Sequence, residues 1–150
     1  LSSRSRVGKE KRRFGISITA NVADVLDKLA SKLGVDRSSL IEKAVRNFLL
    51  DHMHYVVPHE CKGLMILTGR YGREDLLSIV ESFRDVVHSY IHMHVGEMCI
   101  EILIVSGESS KIAELHSTLE SSMKGCLVRY VPLLHTLITN FGLSNKAEAS

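Results

Sequence analysis

Two histidines, a cysteine and a glutamate fall within a ten-residue stretch of Ile91-His-Met-His-Val-Gly-Glu-Met-Cys-Ile-Glu-Ile102. Gly96-Glu97 has the form of a two-residue type II′ turn, with Gly at the first central position. Folded there, the segment pairs Val95 with Met98, His94 with Cys99 and His92 with Glu101. Side chains alternate across a strand, so His92, His94, Cys99 and Glu101 share one face. Ile91, Met93, Val95, Met98, Ile100 and Ile102 form an apolar row on the other. Opposed residues sit about 5 Å apart, so two imidazoles and a thiol converge as a candidate metal site. Taken alone, a His-x-His on a half-exposed strand is more often a solvated polar face; the pairing with Cys99 across the turn brings the two readings level. Cys99 beside His94 also has the look of a nucleophile and base, but no oxyanion motif or Gly-rich loop accompanies them, which argues against an enzyme.

The elements that would position this hairpin follow from periodicity. Residues 62–71 alternate as a strand, and 73–89 carry a helical stripe of Leu76, Ile79, Val80, Phe83 and Val87. The hairpin strands are 90–95 and 98–106. Residues 109–124 are a second helix with Ile112, Leu115, Leu119 and Met123, ended by Gly125, and 126–134 a last strand. The order βαββαβ is the split, ferredoxin-like arrangement. Residues 135–150 lack periodicity and are expected to be a tail.

The first fifty residues differ in character. Eleven Lys/Arg against five Asp/Glu give them a balance of +6, while residues 51–150 balance at −4. Arg4, Arg6, Lys9, Lys11, Arg12 and Arg13 make residues 1–12 and their border a basic, disordered arm. A polyanion-binding part joined to a regulatory or assembly part accounts for this asymmetry, as would a solubilising tail. Phe14, Ile16 and Ile18 alternate with Arg13, Gly15, Ser17 and Thr19 as a short strand. Val22, Val25, Leu26, Leu29 and Leu33 then form a helical stripe closed by Gly34, and a second helix starts at Asp36 or Ser38. One strand and two helices cannot bury enough surface alone. Two copies pairing their strands would give a ribbon backed by four helices, the kind that enters the major groove of double-stranded DNA.

Residues 13–50, with Arg-Phe-Gly-Ile-Ser-Ile-Thr, Val-Leu-Asp-Lys-Leu-Ala, a Gly turn and Asp-Arg-Ser-Ser-Leu-Ile, resemble the ribbon-helix-helix repressors. The resemblance implies that Arg13, Gly15 and Ser17 face base edges. It places the N-terminus of the second helix, near Arg37 and Ser38, on a phosphate, and gives Arg6, Lys9, Lys11 and Arg12 backbone contacts. Such a segment followed by a βαββαβ domain with His-x-His and Cys-x-Glu in its hairpin resembles the nickel-responsive repressor (NikR) family over residues 13–134. The expected fold is therefore α+β: a dimeric ribbon-helix-helix at 13–50, a linker at 51–61, and a ferredoxin-like, ACT-type regulatory and tetramerisation domain at 62–134. The resemblance implies a homotetramer, a dimer of dimers, in which metal at the core controls operator binding. It makes His92, His94 and Cys99 three ligands of a square-planar nickel site, with Glu101 orienting a neighbouring group. Imidazole and thiolate in a plane suit Ni(II) or Cu(II); Co(II) and Zn(II) remain open. The fourth ligand comes in the family from a histidine late in the preceding helix of another subunit. Arg84 or Asp85 aligns there, and His88 is the nearest candidate. The turn between His94 and Cys99 is one residue shorter than the family's. Ser39 and Lys43 stand where the family has an acidic pair for a second cation. The alternative is a ribbon-helix-helix repressor whose metal site has diverged, governed by a small-molecule effector or by no metal.

At 150 residues and 45% hydrophobic, the chain can bury a core. No apolar run approaches the roughly 20 residues of a membrane span, and the expectation is a cytoplasmic protein. With no Met at position 1, Leu1 is expected to be an introduced or processed boundary. Cys61, Cys99 and Cys126 are odd in number and widely spaced, unlike a disulfide framework. His52, His54, His59 and Cys61 read as solvated linker residues or an accessory metal site. Cys126 reads as core, and His116 and His135 show no chemistry.

Overall fold

A computed structural model of the chain describes residues 12–13 and 15–133. The basic positions Arg6, Lys9 and Lys11, as well as Phe14, His135 and the tail expected at 135–150, lie outside the described residues. The chain divides into two compact units between Phe48 and Leu49.

The first unit holds helix α1 (Ala20–Leu33) and most of helix α2 (Arg37–Asp51). Gly34, at φ 65°, closes α1 in the left-handed conformation that favours glycine, and Val35 N–H donates to the Ala30 carbonyl at 3.1 Å. Asp36 starts α2 by accepting from Ser39 N–H at 2.9 Å. The Ser39 hydroxyl and backbone N–H hold the Asp36 carboxyl below its usual range. Ala30 and Leu40 are buried, yet the α1 stripe of Val22, Val25, Leu29 and Leu33 is 45–63% exposed. Residues 15–19 form no strand, contrary to the expectation for 13–19. A strand is defined by its ladder, and among the described residues of one chain no second strand pairs with this segment.

The second unit is the expected βαββαβ arrangement. It runs β1 (Glu60–Gly69), α3 (Arg73–Ser82), β2 (Val87–Val95), β3 (Met98–Glu108), α4 (Ser109–Ser122) and β4 (Leu127–Pro132). The sheet order is β2-β3-β1-β4, and every neighbouring pair is antiparallel. One face carries Cys61, Met65 and Leu67 of β1, Leu103 and Val105 of β3 and Tyr130 of β4. It packs on Leu76 and Phe83 with Ile112, Leu115, Leu119 and Met123 as a single core. Gly63 of β1 lies under the Tyr130 ring; a Cβ there would meet ring atoms at 2.4–2.7 Å.

Two boundaries depart from the sequence expectation. Helix α3 ends at Ser82 rather than running to residue 89: Phe83 turns the chain, accepting from both Val86 and Val87 N–H, and Val87 then enters β2. Val86, in the turn, and Val87, which opens β2, both reach the core, a spacing that overlaps a helical stripe. Between α2 and β1, a single 3-10 turn, Met53–Tyr55, buries Met53 and His54. The His54 and His116 rings meet there at 2.9 Å, Nε2 to Nδ1, with His54 3% and His116 1% exposed. Burial pushes both imidazoles below their ordinary pKa, His54 to about 3.

Candidate metal centre

The hairpin has the register its sequence implies. Val95 pairs with Met98, His94 with Cys99 and His92 with Glu101. Gly96 has φ 59° and Glu97 a negative φ, the combination a type II′ turn requires. An ion pair between Arg70 and Glu97 ties the turn to the end of β1. Glu101 shares its face with Leu103 and Val105, so the chemistry-bearing side is the side the helices cover. The apolar row is the open side: Ile91 is 42%, Met93 40%, Val95 62% and Met98 43% exposed.

On the covered side the groups form a chain. Glu101 is fully buried, and its Oε1 lies 2.5 Å from Nδ1 of half-buried His92. A carboxylate accepts, so His92 carries its proton on Nδ1 and presents the Nε2 lone pair. That atom is 2.9 Å from His94 Nε2, and the two rings stand at 89°. Cys99 Sγ lies 3.8 Å from His94 Nδ1. Two nitrogens about 2.0–2.1 Å from one ion lie about 2.9 Å apart at a right angle and about 3.3–3.4 Å apart in a tetrahedron. The imidazole separation matches the edge of a square plane, but here it is a hydrogen bond. Cys99 faces the other His94 nitrogen, so a side-chain rearrangement is needed for all three to reach one ion. Among the described residues, no group of three or more His, Cys, Asp and Glu side chains is placed to hold a metal within one chain.

His88 is not in a helix. Val87 pairs with Val105 and Ser89 with Ile104, which leaves His88 as the extra residue of a bulge in β2. Its Nε2 meets Ser106 Oγ at 2.5 Å. Ser106 alternates with buried Val105, so His88 sits on the open side, away from His92, His94 and Cys99 of its own chain.

Sequence reasoning missed three neighbours of this site. Tyr71, in the β1–α3 loop, and Tyr90, on β2, bring buried hydroxyls close to Glu101. Tyr90 opens the strand expected at 90–95 and shares the parity of His92 and His94, so its face was readable from the sequence. Cys126 lies over Gly69, the partner of Cys99 across the sheet; a Cβ on Gly69 would meet Cys126 Sγ at 2.6 Å.

Of the residues expected at DNA, Arg12, Arg13, Gly15, Ser17 and Ser38 are exposed. The Arg37 guanidinium instead grips Asp27 of α1, with Nε to Oδ1 at 2.6 Å and Nη2 to Oδ2 at 2.5 Å. Among the described residues, no helix is long and apolar enough to cross a membrane.

Comparison with known proteins bears on both units. Residues 10–52 match the ribbon-helix-helix domain family, and residues 68–129 match the NikR C-terminal nickel-binding domain family. Several relatives carry the provisional name nickel-responsive regulator. One from Dictyoglomus turgidum is 30% identical over 115 residues, 73% of this chain and 85% of that protein. One from Pyrococcus horikoshii is 29% identical over 119 residues, covering 75% and 86%. One from Methanocella arvoryzae is 29% identical over 136 residues, covering 83% and 92%. With a ribbon-helix-helix segment, a split βαβ domain and the His-x-His, Cys-x-Glu hairpin in one chain, the protein belongs to the nickel-responsive regulator (NikR) family.

Proposed function

We propose that the protein is a DNA-binding transcriptional regulator whose grip on its operator is set by nickel held at the core of a homotetramer. The observation that carries this reading is the cross-strand set His92, His94 and Cys99, with His92 held through Nδ1 by a buried Glu101 so that its Nε2 faces His94. Bound there, nickel would supply a positive charge that draws imidazole and thiolate donors into one plane. His92, His94 and Cys99 come from one chain, and His88, on the opposite side of the sheet, is suited to complete the site of a neighbour.

Two uncovered surfaces support the assembly. The α1 stripe with Ile16 and Ile18 needs a second copy to form a ribbon and bury its apolar face. The open sheet side, with Ile91, Met93, Val95, Met98, Ile104, Leu127 and Val131 each 37–62% exposed, needs another. Arg12, Arg13, Ser17 and the start of α2, with Arg6, Lys9 and Lys11 preceding, would then meet double-stranded DNA, largely through salt-sensitive phosphate contacts. Arg37 would be released from Asp27 or act with it.

Titration of the purified protein with Ni(II), followed by its ultraviolet-visible spectrum, tests the site. A thiolate-to-metal band saturating at one ion per chain and lost in Cys99→Ala is expected. A band unchanged in that variant would remove Cys99 from the site.

A further inference from the structure

Glu101 is a carboxylate with no exposed surface, and only one of its oxygens is satisfied. Its Oε2, the Tyr71 hydroxyl and the Tyr90 hydroxyl are all buried without a hydrogen-bond partner of full geometry. Three such atoms in one place are unusual, because an unpaired buried polar group costs about 1–3 kcal/mol. The chemistry of the three is complementary: two hydroxyls that donate and one oxygen that only accepts. A phenol hydroxyl is a donor at neutral pH, so each can serve the oxygen that only accepts. Arg73, the first residue of α3, also acts on Tyr90.

We propose that Tyr71 and Tyr90 are positioning residues of the metal site, which donate to Glu101 Oε2 and so fix the carboxylate whose Oε1 holds His92. The inference rests on the nickel reading above and extends it to two residues that touch no ligand atom. A carboxylate anchored at one oxygen can rotate about its last bond. Anchored at both, it keeps His92 in the Nδ1–H form with Nε2 directed at the ion. Tyr71 belongs to the loop after β1 and Tyr90 to β2, so the ligand is braced from two elements. Groups that orient metal-binding histidines typically contribute about 10–100-fold in affinity.

The test uses Tyr71→Phe, Tyr90→Phe and the double variant, each of which keeps the ring and deletes the hydroxyl. Nitrogen chemical shifts of His92 in protein without metal report its tautomer, and competition with a chelator gives nickel affinity. The wild type is expected to hold the Nδ1–H form, and the double variant a mixture of tautomers with nickel binding about tenfold or more weaker. In a Glu101→Gln background the same tyrosine changes are expected to have little further effect, which a merely structural role would not predict. Unaltered tautomer and affinity in the double variant, beside a wild type that binds nickel, overturn the role of the tyrosines alone. A wild type that binds no nickel overturns this inference and the reading beneath it.

Discussion

Glu101 decides what His92 can do. A buried carboxylate accepting from Nδ1 leaves one lone pair on the ring, and that lone pair points at His94. Glu101→Gln keeps the size and removes the charge, so nickel should bind about 10–100-fold more weakly; an affinity within twofold of wild type, measured by chelator competition, would contradict this. The pairing of His92, His94, Cys99 and Glu101 was legible because a Gly-first turn sets register and strand parity sets face. Which face the helices cover was not, since both sides of the hairpin offer groups a protein can bury. Nor was Glu101's full burial, which follows from its place on the face the helices cover.

At the scale of elements, the hairpin depends on Gly96. At φ 59° a side chain with a branched Cβ is strained by about 1–2 kcal/mol, so Gly96→Val should lower the urea midpoint and weaken nickel binding together. Unchanged values for both would show that the turn is not what aligns His94 with Cys99. The 3-10 turn and α4 share a second device. His54 and His116 are buried and neutral, with folded pKa values below the usual 6.5. Because the unfolded chain takes up protons that the folded chain refuses, their contribution to stability is full above about pH 6.5 and falls as pH drops below it, for His54 down to about 3. Between pH 7.5 and 5.5 the burial of neutral His54 should cost about 1 kcal/mol, read as the difference in urea stability between wild type and a His54→Leu variant. Equal pH slopes for the two would contradict it. His116 was legible in hindsight as the fourth position in a stripe of Ile112, Leu115 and Leu119. His54 was not, because nothing local distinguishes a buried histidine from a solvated one between a helix and a strand. The end of α3 was hidden for a similar reason: Val86 of the turn and Val87 of β2 pack on the core where a helix would also place apolar residues.

At the scale of the whole molecule, apolar surface stays open among the described residues. Leu29 and Val25 are exposed at 45% and 63%, although the sequence places them on the apolar stripe of α1. If a second copy covers them, Leu29→Glu should break the dimer and abolish DNA binding while leaving the nickel band intact. Sedimentation that shows the variant still assembled through this unit would contradict the ribbon. Residues 15–19 alternate apolar and polar side chains yet form no strand in the described chain, so alternation alone did not decide their structure. The central claim is coupling between the two units, and DNA affinity with and without Ni(II), at fixed salt, measures it directly. Duplexes selected from a random pool by the nickel-loaded protein would serve as ligand. Nickel should tighten binding of the wild type by about tenfold or more and leave Cys99→Ala unchanged. Equal affinity of the wild type with and without nickel would contradict the account.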